Sequence, residues 1–295
     1  MRTLIAAVVA AGITQAASVP ASAETGTVPK TGYANVNGLN LYYEIHGSGE
    51  PMVLLHGGLG ASGMFSEILP MLSKTRQVIT VDLQGHGRTA DINRPLTFEA
   101  MADDVASLIR YLKIEKADVM GYSLGGGVAL RTAAQHPDVV KKLVLVSIPF
   151  RRDGWYPEIR DGMSQVSAAA AEPMKQTPMY QLYAKVAPKP DDWPVLLTKI
   201  GELVKTDYDW SKDVAAIEVP TLLVFGDADA VPAAHAAQFF ELLGGGKKDG
   251  GWDGSGIAKA RLAILPGLTH YTVFSSPLLA STVSAFLETP VTGTK

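Results

Sequence analysis

A chain of 295 residues, 47% hydrophobic and 19% charged, is long enough to bury a full core as one large α/β domain or as two smaller ones. Its net charge of -3 excludes an electrostatic case for nucleic acid or an anionic membrane surface and leaves a neutral or small-molecule partner. With no cysteine, the chain has no disulfide, no thiol nucleophile and no thiolate metal site.

The chain opens with Arg2, an apolar run from Leu4 to Ile13 and the small-residue triplet Ala21-Ser22-Ala23. This is the pattern of a secretory signal peptide over residues 1–23, which predicts a secreted or periplasmic mature protein of residues 24–295. No later segment approaches the ~20 uninterrupted apolar residues of a membrane span, so no stable membrane insertion is expected.

From about Tyr33 the pattern is of short strands: "YANVNG", a turn at Asn37-Gly38, "LNLYYEIHG", then the buried run "MVLLHGG". "MFSEILPMLSKT" has helical spacing, and "RQVITVDLQGHGRT" is a β-branched strand ending in a glycine-rich loop. "TFEAMADDVASLIRYLKI" places Phe98, Met101, Val105, Leu108 and Leu112 on one helical face. "ADVMGYS" reads as a strand and "LGGGVALRTAAQHP" as a helix that stops before Pro137. "VKKLVLVSIP", "VPTLLVFGD" and "ARLAILPG" are further buried strands. Strands alternating with helices predict an α/β domain with a mostly parallel twisted sheet covered on both faces.

Between Ser147 and Pro220 the alternation lapses into proline-broken helical pieces rich in aromatics and methionines, among them Trp155, Met163, Tyr183, Trp193, Tyr208 and Trp210. A helical lid over about residues 150–215 accounts for this composition, its aromatics lining a cavity or packing back on the core. Residues 243–256, "LGGGKKDGGWDGSG", form a glycine-rich polar loop without the acidic spacing of a calcium site.

The sharpest local signal is "VMGYSLGGGVAL". A strand that turns abruptly into a helix forces the apical residue into a strained conformation and brings strand and helix close, so the positions two before and two after must lack side chains. Gly121 and Gly125 meet that demand around Ser123, placing its hydroxyl as a nucleophile. A serine hydroxyl needs a base, and the base an orienting acid. "PTLLVFGDADAVP" supplies Asp227 and Asp229 just past a strand, and "ARLAILPGLTHYTVF" supplies His270 past the last one. Asp229 is the expected acid, because Asp227 leaves the strand directly and can brace the turn instead.

Through "LLHGG", "DLQGHGRT", "GYSLGG", "GDADAVP" and "PGLTH" the chain resembles the α/β-hydrolase fold superfamily from roughly Tyr33 to Leu287. The resemblance implies the α/β-hydrolase fold with a helical lid insertion, and catalytic Ser123, Asp229 and His270. It also implies an oxyanion hole of the Gly58 and Leu124 backbone N–H groups, with Leu59 as an alternative to Gly58. It implies no cofactor and no metal. The expected activity is that of a serine esterase acting on a small-molecule carboxylic ester. Cofactor-free haloperoxidases (perhydrolases) and carbon-carbon bond hydrolases use the same three residues and remain alternatives, as does a non-catalytic ligand-binding protein of the same fold. The serine elbow argues against the dehalogenases and epoxide hydrolases of this fold, which carry aspartate there. Oligomeric state and physiological substrate are open.

The remaining candidates have structural readings. His56 is expected to hold the oxyanion loop, Asp82 and Arg88 to fix the turn around His86, and His46, His136 and His235 show no ligand spacing. Arg151 and Arg152 open the lid segment, where solvated surface is the expected setting and an acidic substrate group the alternative.

Overall fold

The computed structural model describes residues 28–290, so the leader expected over residues 1–23 lies outside the described residues. Among the described residues, eight strands form one sheet. They are β1 (Lys30–Val36), β2 (Leu39–His46), β3 (Glu50–Leu55), β4 (Arg76–Asp82), β5 (Ala117–Tyr122), β6 (Val140–Val146), β7 (Thr221–Ala228) and β8 (Ala260–Thr269), in the spatial order β1-β2-β4-β3-β5-β6-β7-β8. The pairs β1/β2 and β2/β4 are antiparallel and every other pair is parallel. The first two strands meet at Val36 and Leu39 across a two-residue turn in which Asn37 and Gly38 have φ of 49° and 78°. That is the left-handed pair a tight hairpin requires.

The central strands are mostly apolar because both faces are covered. Val53 and Leu55 of β3 point into one core with α2 (Phe98–Tyr111) and α3 (Leu124–Gln135), whereas Met52 and Leu54 point into the other with α1 (Leu69–Leu72) and α10 (Pro277–Glu288). Helix α2 begins where the Thr97 hydroxyl accepts the Ala100 N–H at 3.0 Å, and it buries Phe98, Met101, Val105 and Leu108 as the periodicity predicts. The single helix expected over "MFSEILPMLSKT" is instead a 3-10 turn, Ser62–Phe65, followed by the four-residue α1. Pro70 explains the break, since proline is tolerated only in a helix's first turn.

Between β6 and β7 the chain forms α4 (Pro157–Ser164), α5 (Ala171–Met174), α6 (Pro178–Val186), α7 (Trp193–Lys205) and α8 (Ser211–Ala215). Prolines in the first turns of α4, α6 and α7 start these helices. Helix α9 (Ala233–Leu242) follows β7 and leads into the glycine-rich loop, where Trp252 is fully exposed. No described helix is long and apolar enough to cross a membrane.

Candidate active site

Strand β5 ends at Tyr122 and α3 begins at Leu124, so Ser123 alone makes the turn, at φ 53° and ψ -119°. A Cβ on Gly121 would strike the Gly125 backbone, one on Gly125 the Leu55 and His56 carbonyls, and one on Gly127 the Phe98 ring. The elbow therefore closes only with glycine on either side of the serine.

The loop after β3 runs beside it. Buried His56 accepts the Leu83 N–H on Nε2 at 3.0 Å, so Nδ1 carries the proton and donates to Gly57 O at 2.7 Å. Burial, against the pull of Asp82, pushes its pKa down and keeps the ring neutral. His56 thus ties this loop to the loop after β4, where Asp82 accepts the Ser62 and Arg88 N–H groups at 2.7 and 2.8 Å. Gly60 N–H donates to Gly57 O at 3.1 Å, closing a turn with Leu59 at φ 59°. Among the described residues the Gly58, Leu59 and Leu124 N–H groups have no hydrogen-bond partner. A Cβ on Gly58 would lie 3.6 Å from the Leu124 side chain, so loop and helix start adjoin beside Ser123.

Past β7, Asp229 is almost fully buried and accepts from four donors. Oδ1 takes His270 Nδ1–H at 3.1 Å and Val231 N–H at 3.3 Å; Oδ2 takes Gly226 N–H at 3.0 Å and the Ser147 hydroxyl. Burial pushes the carboxyl pKa up, but the His270 ring and the Ser147 and Gly226 donors outweigh it and hold the group below the ordinary carboxylate value. An ionised carboxylate only accepts, so His270 Nδ1 bears the proton and Nε2 presents its lone pair to Ser123 Oγ, 3.2 Å away. His270 is 7% exposed, flanked edge-on by Trp155 at 5.4 Å and tilted against Tyr122 at 5.2 Å. Asp227 does the other job: it accepts the Gly267 N–H at 2.8 Å and braces the β7 and β8 ends.

Ser123, Gly58, Leu59 and Leu124 form the floor of a cavity of about 170 Å³. Its upper wall comes from the helical insertion, through Trp155, Met163, Val166, Ile200, Val204 and Tyr208. Other aromatics of that segment face away: Trp193, Tyr183 and Trp210 are buried in the core. Arg151, paired with Asp153, stays outside the cavity, but Arg152 lines it, correcting the surface reading for one of the two. The Arg152 guanidinium donates to Val204 O at 2.9 Å and Asp207 at 3.2 Å, so it fastens the end of α7 as part of the wall.

Each of the remaining histidines has a partner: His46 has Glu44 at 2.9 Å, His136 has Asp103 at 2.7 Å, buried His86 has Gln84 O at 2.9 Å, and His235 accepts the Phe150 N–H at 3.3 Å. Among the described residues no three His, Asp or Glu side chains form a group able to hold a metal ion. Two contacts were not visible in the sequence: Ser147 on Asp229, and the Tyr122 hydroxyl, which donates to His270 O at 2.7 Å. Neither residue belongs to a motif that signals its partner.

Comparisons with known proteins agree with this architecture. Residues 50–169 match a family model described as the alpha/beta hydrolase fold. The "Putative carbamate hydrolase RutD" of Caulobacter sp. (strain K31) is 33% identical over 246 residues, covering 74% of this chain and 89% of that protein. The "Non-heme haloperoxidase" of Rhodococcus erythropolis is 26% identical over 268 residues, 79% of this chain and 90% of that one. Among solved structures, E-2-(acetamidomethylene)succinate hydrolase superposes with a TM-score of 0.70 at 21% identity, covering 89% of this chain and all of the other.

Proposed function

Since this chain belongs to the alpha/beta hydrolase fold family, we propose that it is a serine hydrolase that cleaves small to medium carboxylic esters through an acyl-enzyme on Ser123. The observation that carries this reading is one line of contacts, Ser123 Oγ to His270 at 3.2 Å and His270 to Asp229 at 3.1 Å, ending at the floor of a largely apolar cavity.

Ser123 Oγ attacks the ester carbonyl as His270 Nε2 takes its proton, and the ionised Asp229 stabilises the imidazolium that forms. Negative charge then grows on the former carbonyl oxygen. The unengaged Gly58 and Leu124 N–H groups adjoin Ser123 and receive that charge; each such donor contributes about 2.7–4 kcal/mol to the transition state. Collapse of the tetrahedral intermediate, with His270 protonating the leaving oxygen, releases the alcohol. Water deprotonated by His270 then attacks the acyl group and frees Ser123. A compact apolar acyl group suits walls of Ile148, Val166 and Ile200. Export directed by residues 1–23 is part of the same proposal, checked by N-terminal sequencing of the mature protein.

The test is turnover of p-nitrophenyl acetate and butyrate by the wild type and Ser123→Ala. Serine-dependent hydrolysis supports the reading; its absence favours a binding protein of the same fold. A second reading, in which peroxide replaces water on the acyl-enzyme, is favoured by the 26% identity to a non-heme haloperoxidase. Rates with peroxide and acetate, set against ester hydrolysis at matched concentrations, decide between them.

A further inference from the structure

Five non-glycine residues among those described have a positive φ. Asn37 sits in the β1–β2 turn and Lys113 just past the end of α2, where that conformation completes a turn and a helix end. The other three, Leu59, Ser123 and Ser147, converge on the active site. Leu59 and Ser123 line the cavity. Ser147 does not, and it is fully buried.

Ser147 follows β6 with φ 52°, while its N–H donates to Val224 O at 2.9 Å and extends the ladder to β7. Glycine takes such a backbone at no steric cost. The strain is therefore spent on holding a side chain, and strain of this kind gathers where function needs it. What that side chain holds is Asp229 Oδ2.

We propose that Ser147 is a positioning residue: its hydroxyl fixes the rotation of the Asp229 carboxylate so that Oδ1 faces His270 Nδ1. The proposal rests on the hydrolase reading above. A carboxylate turns about its Cβ–Cγ bond unless both oxygens are held. Gly226 N–H reaches Oδ2 from within β7, the strand that leads into Asp229, whereas Ser147 holds Oδ2 from the end of the neighbouring strand β6. The contacts close on themselves. Ser123 N–H donates to Val146 O at 2.9 Å, Val146 leads into Ser147, Ser147 holds Asp229, Asp229 holds His270, and His270 returns to Ser123 Oγ. Nucleophile and acid are thus referred to the same point of the sheet.

Three variants separate hydroxyl from backbone. Ser147→Ala removes the hydroxyl and keeps the backbone demand; Ser147→Gly removes both; Ser147→Thr keeps the hydroxyl. The readouts are kcat and KM on p-nitrophenyl butyrate and the rate at which a fluorophosphonate labels Ser123. The alanine and glycine variants are expected to lose kcat and labelling rate alike, roughly tenfold or more, with KM unchanged. This holds although the glycine variant melts higher than the alanine one. Threonine returns both rates toward wild type; if its extra methyl prevents folding, the equality of alanine and glycine decides. Glycine recovering the rate that alanine loses assigns the effect to the backbone and overturns the proposal, as do wild-type rates in both. A wild type that labels but turns over no ester removes the ester reading, and the variants' labelling rates still decide Ser147. A wild type that does not label overturns both.

Discussion

The hydroxyl of Tyr122 donates to the main-chain carbonyl of His270 at 2.7 Å, tying the residue before Ser123 to the residue proposed as its base. Burial raises the phenol's pKa and keeps it a donor. Tyr122→Phe leaves the packing against His270 and Phe274 and removes only this tie. The expected result is a stability loss of about 1 kcal/mol and a kcat reduced roughly threefold to tenfold, measured by denaturant titration and steady-state kinetics. An unchanged kcat removes Tyr122 from the support of the base.

The two aspartates past β7 have different partners and different expected phenotypes. Asp229→Asn presents an amide to His270 Nδ1, disturbs the tautomer and is expected to lower kcat by about 10³–10⁴-fold. Asp227→Asn keeps an acceptor for the Gly267 N–H and is expected to stay within about threefold of wild type, since its role is bracing a turn. Kinetics on the two purified variants check the assignment, and the reverse order of losses refutes it.

His235 makes stability fall as the pH drops. Its Nε2 accepts the Phe150 N–H at 3.3 Å, which requires that nitrogen to be unprotonated, and its ring stacks on Phe150 at 4.3 Å. Burial, then the charge of Arg151, push its pKa down from 6.5 to about 4, against the pull of Asp153. The unfolded chain therefore binds this proton first. The stabilising contribution is complete above pH 6.5 and is lost as pH falls from 6.5 through 4. Urea titrations at stepped pH should show wild type losing stability relative to His235→Gln across that window. Parallel curves count against a neutral buried His235.

At the opposite end of the strands, Arg76 at the start of β4 pairs with buried Asp118 of β5 at 2.7 Å. Burial lifts the Asp118 pKa to about 6 against the opposing pull of Arg76, so the pair is costly to split. Arg76→Met strands that carboxyl and is expected to cost about 3–5 kcal/mol, while Arg76→Met with Asp118→Leu recovers most of it. Calorimetry on both variants checks this, and kcat should not follow, because Ser123 lies past the far end of β5.

The elements and the site were legible in the sequence to different degrees, for physical reasons. Strands β3, β5 and β6 announce themselves because burial on both faces demands mostly apolar runs. Ser123 is visible because the steric condition for its turn is local and written in Gly121 and Gly125. Asp229 and His270 follow from where strands end. Ser147 is silent because a serine after a strand looks the same whether its φ is negative or positive; only the fold brings Asp229 beside it. Which aromatics of the insertion meet the cavity is equally hidden. Trp155 and Trp193 have the same composition signal, and tertiary packing alone sets one beside His270 at the cavity and the other against Tyr180 and Tyr183. The segment around Met71 has helical spacing but not one helix, because Pro70 cannot stand beyond a helix's first turn and so starts α1 afresh.

The most direct test of the account is peptide mass spectrometry after acid-quenching the protein during turnover of p-nitrophenyl butyrate. The expected result is a butyryl increment on the peptide containing Ser123, absent from Ser123→Ala and formed far more slowly when His270 is replaced by Ala. An unmodified Ser123 during sustained hydrolysis, or an acyl group carried on another residue, contradicts it.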